Sequence, residues 1–407
     1  MATALATPDK QAAVEPREQF LAFVTDDETF AVVDQVVGEM MLPHASIRRG
    51  DVKQTIKYLG EHRSPKLLLI DLSGSDLPLS DINGLADVCE PGVTVITIGD
   101  RNDCGLFRDL LAHGVADYLV KPVNPALLQR SILGATEQHS VVKGHAKLGK
   151  LVAVMGARGG VGTTTVATSV AWLIAHERRR RAALVDLDLQ FGTVALSLDM
   201  EPSHGLREAL ENPNRIDGLF MDRVLIQHSD RLFVLSAEES PDETLLLDYG
   251  ALELLITELR SKFHYVVIDL PRGPTPCTQQ VLQNATDLVL VSDLSLAGMR
   301  DSMRIAGLLP TINASCNVAL IVNRAGEHKQ GEMPKAEFEK GINRKIDVTL
   351  PFDAKSVAAA TNFGQPVAST KGQVANGLRE LTVRLCGPAA GTATGRAGTW
   401  LKLLKKS

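Results

Sequence analysis

The sequence predicts an α/β chain made of two doubly wound parallel-sheet domains, and three observations carry that prediction. Short apolar runs recur through the chain: FLAFVTDDE, KLLLIDLSG, VTVITIGD and ADYLVKPV in the first third, then LVAVMG, AALVDLDL, RLFVLSA, YVVIDLP, DLVLVSD, VALIVNR and IDVTLPF. Helical patterns lie between most of them, such as TVATSVAWLIAHE, whose apolar residues recur at three and four. Strands that read as continuous apolar runs and alternate with helices belong to parallel sheets covered on both faces. Carboxylates also sit at the ends of these strands, where open α/β sheets place their sites.

Composition narrows the class. A chain of 407 residues with 44% hydrophobic residues is long enough for two or three packed domains. A formal charge of −5 argues against a main surface built for nucleic acid. The five cysteines (Cys89, Cys104, Cys277, Cys316, Cys386) form no CxxC pair, which fits a reducing compartment and reads against zinc or an iron–sulfur cluster. No leader-like start and no uncharged apolar run of about 18 residues is present, so the expected location is the cytoplasm.

Residues 1–18 mix small, polar and proline residues without apolar period and read as a disordered tail. The first domain then spans 19–135. Asp26 and Asp27 follow its first strand and Asp71 ends the run LLLID, so three acids are expected to converge where they could hold a divalent ion. These residues resemble a response-regulator receiver domain. On that resemblance Asp26 and Asp27 match the acidic pair, Asp71 the phospho-acceptor, and Lys121 before Pro122 the lysine–proline pair. The match departs at Gly99, where receivers carry the Ser/Thr that reports phosphorylation, and Thr97 lies two residues too early. The resemblance therefore implies a receiver-like docking module more than a working phospho-switch.

Residues 136–149 mix glycine, polar and basic residues and read as a linker to a second domain over 150–386. Val152 to Thr165, VAVMGARGGVGTTT, runs an apolar strand into a glycine-rich loop and a helix. Glycines at 156, 159, 160 and 162 let backbone N–H groups turn toward an anion, and the helix from Thr163 adds the positive end of its dipole. The lysine expected after the last glycine of a phosphate loop is Thr163. Asp186 and Asp188, two apart in VDLDLQFG, share one side of an extended strand. Asp269 ends YVVIDL, and carboxylates so placed orient water or hold magnesium through water.

The loop and these acids resemble the ParA/MinD branch of P-loop ATPases over roughly residues 150–385. The aligned signature is Arg158-Gly159-Gly160-Val161-Gly162-Thr163-Thr164-Thr165. The resemblance implies ATP and Mg as cofactors, with Thr164 on magnesium and Asp186 and Asp269 serving the ion and its waters. It also implies that Asp188 positions the attacking water, that Asn323 and Pro351 frame adenine, and that a homodimer forms on nucleotide. Arg158 stands for the signature lysine that reaches the partner subunit's phosphate. The lysine missing at Thr163 implies at most a weak ATPase.

An atypical receiver joined to an atypical ParA/MinD domain, with DLDLQFGTVALSLD, ADVCEPG and VADYLVKP, is similar to the CpaE/TadZ proteins of tight-adherence (Flp-type) pilus assembly. That implies a cytoplasmic, often polar localisation factor working with a pilus secretion ATPase and inner-membrane platform proteins. A cycling ATPase for partition or positioning, and a phosphorylation-controlled response regulator, are the alternatives. Two further stretches are candidates for contact. Arg178 to Arg181 read as a solvated helix end ahead of a DNA contact. The tail 387–407 ends in Trp400, Leu401, Lys402, Leu403, Leu404, Lys405 and Lys406, a short basic amphipathic end suited to peripheral membrane contact or to a plain disordered tail.

Overall fold

In a computed structural model, the structure describes residues 17–141, 148–243, 245, 247–273, 275–328 and 330–387. Nearly all of the expected N-terminal tail, the middle of the linker and the basic end Trp400–Lys406 lie outside the described residues. The chain divides into two compact units, residues 1–146 and 147–407, and the division falls inside the stretch read as linker.

The first unit runs β1 (Phe20–Val24), α1 (Asp27–Glu39), β2 (Ala45–Arg49), α2 (Val52–Glu61), β3 (Leu67–Asp71), α3 (Pro78–Val88), β4 (Thr94–Gly99), α4 (Cys104–Ala112), β5 (Asp117–Val120) and α5 (Pro125–Val141). All strands pair in parallel in the order β2-β1-β3-β4-β5, the sheet that the receiver-like reading requires. Successive strand residues point to opposite faces, and here both faces are covered. Phe20, Ala22, Leu69 and Ile98 pack with Val33, Val36, Leu128 and Ile132 on one side. Leu21, Phe23, Leu68 and Ile70 pack with Leu59, Ile82 and Leu85 on the other. The central strands β1 and β3 are therefore buried at every position and read as unbroken apolar runs, whereas the edge strand β2, ASIRR, is partly exposed and carries no such run. The final helix continues to Val141, past the domain boundary expected at 135, and GATEQHS contains no proline to stop it.

The ADVCEPG stretch has a structural use. Glu90 is 5% exposed; its backbone N–H donates to Ser64 Oγ at 3.0 Å and its carboxylate accepts from Ser64 N at 3.3 Å. Arg63 lies 3.7 Å from the same carboxylate. Glu90 thus fastens the loop before β3. Glu90→Ala leaves a buried amide without its acceptor and should cost about 1–3 kcal/mol, read as a lower urea midpoint for the first unit at unchanged slope.

The second unit contains β6 (Lys150–Gly156), α6 (Thr163–His176), β7 (Ala182–Asp186), α7 (Val194–Ser197), α8 (Gly205–Glu211), α9 (Gly218–Val224), β8 (Ile226–Ser229), β9 (Leu232–Leu235), α10 (Tyr249–Lys262), β10 (Tyr265–Asp269), α11 (Pro276–Asn284), β11 (Asp287–Ser292), α12 (Leu296–Ile312), β12 (Asn317–Ala325), α13 (Lys335–Ile342), β13 (Val348–Pro351), α14 (Ala354–Asn362) and α15 (Gln373–Cys386). The sheet order is β13-β12-β11-β6-β10-β7-β9-β8, parallel except for the edge pair β8–β9. The loop-bearing strand β6 sits between β10 and β11, so the glycine-rich loop opens at the middle of the sheet. Nine residues of α6 are buried, which is why that helix is apolar nearly all round.

The four-arginine run closes the turn from α6 into β7. Arg179 takes φ of 52° and its carbonyl accepts from Arg231, while the Arg181 guanidinium lies 4.9 and 5.0 Å from the Phe233 and Phe263 ring centres.

Candidate functional site

The glycine loop is shaped by close approach. A Cβ on Gly156 would meet Thr163 Oγ1 at 2.4 Å and the Arg158 carbonyl at 2.9 Å, so a side chain there would break the loop. Gly162 has φ of 90°, and a Cβ on it would meet Asn323 Nδ2 at 2.5 Å. Helix α6 begins directly after, with no side-chain cap on its first turn, which leaves its leading N–H groups for an anion. The Thr163 hydroxyl folds back against Gly156, inside the loop.

Below the loop, Thr164 donates its hydroxyl to Asp269 Oδ2 at 2.6 Å. Asp269 and Asp186 are register partners on adjacent strands. Asp186 accepts from the Asp188 and Val194 amides, each at 3.1 Å, and Asp188 accepts from the Phe191 amide at 3.1 Å. Burial pushes the Asp269 carboxyl up to about 8, with Asp186 and Asp188 adding repulsion. Burial likewise pushes Asp186 up to about 6. Asp269 Oδ1 is buried and has no hydrogen-bond partner among the described residues. A carboxylate with an unused oxygen, two acids beside it and a threonine hydroxyl on its other oxygen is a donor set that suits a hydrated divalent cation. Among the described residues no cluster of three or more acids, histidines or cysteines is arranged to grip a metal directly.

A cleft of about 290 Å³ opens beside the loop, lined by Gly160, Gly162, Thr165, Asn323 and Pro351 and closed by Phe352, Val357 and Leu378. The structure thus brings together the predicted loop residues with Asn323 and Pro351. Arg324 and Phe352 also line it and were not singled out from the sequence, although each adjoins a residue that was. Arg158 is half-buried and donates to Ser295 Oγ at 3.2 Å, at the N-cap of α12. Gly159 is exposed and Val161 buried.

In the first unit, Lys121 Nζ bridges Asp26 and Asp71, the latter at 2.6 Å. Asp71 is 1% exposed and also accepts from Thr25 Oγ1 at 2.5 Å and from the Ser73 amide at 2.9 Å. Burial pushes Asp71 up, but its hydrogen bonds from Lys121, Ser73 and Thr25 outweigh that and the net shift is downward. Asp26 falls to about 2: burial raises it, and bonds from Lys121 and Thr29 more than reverse this. Of the three acids expected to converge, Asp26 and Asp71 meet on Lys121 and Asp27 does not join them. Asp26 caps α1 and Asp27 is its first helical residue, so their side chains diverge; Asp27 is fully exposed and pairs with Arg49. At Gly99 a Cβ would meet the Tyr118 hydroxyl at 2.4 Å, and that hydroxyl donates to the Arg101 carbonyl at 2.8 Å. Tyr118 fills the space in which a Ser or Thr at 99 would stand. Thr97 is buried and donates to the Asp117 carbonyl at 3.3 Å.

Comparison with known proteins bears on the second unit. The family model described as cellulose biosynthesis protein BcsQ matches residues 149–300. The septum site-determining protein MinD of Bacillus subtilis is 24% identical over 246 residues, 59% of this chain and 90% of its own. The second unit has the fold of ParA/MinD-type proteins. The solved structure of MinD from Pyrococcus horikoshii, complexed with Mg-ADP, superposes at a TM-score of 0.53 with 19% identity, covering 60% of this chain and all of that one. A pilus assembly protein CpaE from Caulobacter crescentus is 30% identical, covers 30% of this chain and 94% of its own, and has a TM-score of 0.28. The ParA/MinD-type fold fits the central position of β6 and the loop at its end.

Proposed function

We propose that the second unit binds Mg-ATP, that binding drives homodimerisation with weak or no hydrolysis, and that the chain serves as a localisation and assembly factor for a tight-adherence pilus system. The observation that carries the nucleotide reading is the open cleft beside an uncapped loop, with Thr164 and the under-bonded Asp269 beneath it. In this reading the loop amides bind phosphate, Thr164 and Asp269 hold the ion's side of the site with Asp186, and Asp188 orients a water. Magnesium, when bound, supplies the positive charge that the loop lacks. Arg158 leaves Ser295 to meet the partner subunit's nucleotide. The slow turnover follows from Thr163, which offers a hydroxyl where a cation would stabilise developing charge.

The pilus reading rests on the paired architecture and on the stretches DLDLQFGTVALSLD, ADVCEPG and VADYLVKP, similar to CpaE/TadZ proteins. Its partners are a pilus secretion ATPase and inner-membrane platform proteins, and its place is the cytoplasmic side of a cell pole. The receiver-like unit works in it as a docking module, with Tyr118 packed where a phosphorylation reporter would move.

Calorimetry and gel filtration with and without Mg-ATP test this. Wild type should bind and shift to twice its mass. Thr163→Lys should tighten binding by roughly tenfold to a hundredfold, since a charge-assisted hydrogen bond contributes about 1.5–3 kcal/mol. No heat and no mass change would remove the nucleotide switch. Rapid wild-type turnover abolished by Asp188→Ala would favour a cycling ATPase instead.

A further inference from the structure

The strand β12 is irregular where it passes the phosphate loop. Its register against β13 shifts between Val322 and Ala325, and Arg324 takes φ of 58°, a left-handed conformation rare for a long side chain. The irregularity aims two consecutive side chains at two consecutive loop carbonyls. Asn323 Nδ2 donates to the Val161 carbonyl at 2.8 Å, and Arg324 Nη1 donates to the Gly160 carbonyl at 2.9 Å. Asn323 Oδ1 in turn accepts the Arg324 amide at 2.9 Å, and Glu327 pairs with the guanidinium from its far side.

These bonds act on the peptide planes of the loop. In a trans peptide the carbonyl of one residue and the N–H of the next point opposite ways. Holding the Gly160 and Val161 carbonyls toward β12 therefore turns the Val161 and Gly162 N–H groups the other way. Gly160 and Gly162 have φ of 78° and 90°, and glycines without a side chain rotate freely unless something holds them. The loop has Thr163 in place of a cation that would gather it from within, so the hold comes from outside.

We propose that Asn323 and Arg324 brace the phosphate loop from its carbonyl side, making Arg324 a positioning residue for the phosphates of a bound nucleotide. This rests on the nucleotide reading above and revises one part of it: Asn323, expected to frame adenine, uses its amide on the loop. The bracing is independent of the base, because both contacts go to the protein backbone.

The test uses the full chain, magnesium, and two probes, ADP and inorganic pyrophosphate, in calorimetry. Arg324→Gly removes the guanidinium while keeping a residue that tolerates the left-handed backbone. It should weaken both probes in equal proportion, roughly tenfold, the worth of one well-placed hydrogen bond. Arg324→Lys, which retains one donor, should recover part of the loss. Asn323→Ala, which leaves Arg324 in place, should also weaken both probes equally and supplies the answer if Arg324→Gly does not fold. Loss of ADP with pyrophosphate unchanged makes these residues base contacts and overturns the proposal, as does unchanged binding of both. Wild type that binds neither probe would instead remove the nucleotide reading itself.

Discussion

The Asp269→Asn chain should unfold at a higher temperature than wild type near pH 7.5 without ligand, and should lose its response to magnesium nucleotide. Asp269 is 4% exposed, and its folded carboxyl titrates near 8 against an ordinary 3.8. A raised carboxyl means that the folded state keeps a proton that the unfolded chain releases. The burden is absent below 3.8, grows as pH rises, and is complete above about 8. A tenfold difference in proton affinity between the two states corresponds to about 1.4 kcal/mol, so the full burden is several kcal/mol. Asparagine keeps an acceptor for Thr164 but leaves its amide group under-bonded, which returns about 1–3 kcal/mol. The burden exceeds that return, so the variant should stay ahead of wild type near pH 7.5. Melts of the second unit between pH 5 and 8.5 check it: wild type should weaken steadily as pH rises, the variant less so, with Asp186 contributing its share up to about 6. A variant less stable than wild type at pH 7.5 would sink this account.

Lys121→Met should destabilise the first unit by about 3–5 kcal/mol at pH 7, the cost of stranding a buried carboxylate. Lys121 neutralises both Asp26 and Asp71, and Asp71 has no access to bulk water. Adding Asp71→Asn should restore most of the loss, which a merely steric effect of methionine would not allow. Here the linkage runs the other way. Both acids are lowered, so their contribution is complete above the ordinary 3.8 and disappears as pH falls through the folded values, near 2 for Asp26. The deficit of Lys121→Met should accordingly shrink as pH falls toward the ordinary carboxylate value, where protonation relieves Asp71. An unfolding trace that resolves two transitions should therefore show the second unit gaining stability as pH falls from about 8, while the first loses stability only once pH drops below 3.8.

What the sequence made legible follows from burial. Strands covered on both faces must be apolar throughout, so FLAFV, LLLID, LVAVMG and YVVID stand out, and acids that interrupt such runs mark the strand ends. Asp186 and Asp269 were findable for that reason. The antiparallel edge strand β8, IQHS, was not, because all four residues are half-exposed and carry no apolar run. Nor could spacing show that Asp27 turns away from Asp26, which depends on α1 starting at Asp27 itself. Contacts between distant stretches were equally hidden: Arg158 on Ser295, Tyr118 over Gly99 and Arg324 on Gly160 each depend on strand order and a local backbone twist.

The position of β6 has a consequence for synthesis. Its neighbours in the sheet are β10 and β11, which end at Asp269 and Ser292, while β6 itself ends at Gly156. During translation the glycine-rich loop after β6 leaves the ribosome long before either flanking strand exists, so its surroundings are unfinished on the nascent chain. The first unit, whose strand β1 meets both neighbours within its own short span, can close while the rest is still being made. Stalling elongation shortly after β7 should therefore yield a chain with a protease-resistant first unit and an accessible β6, vulnerable to capture by chaperones.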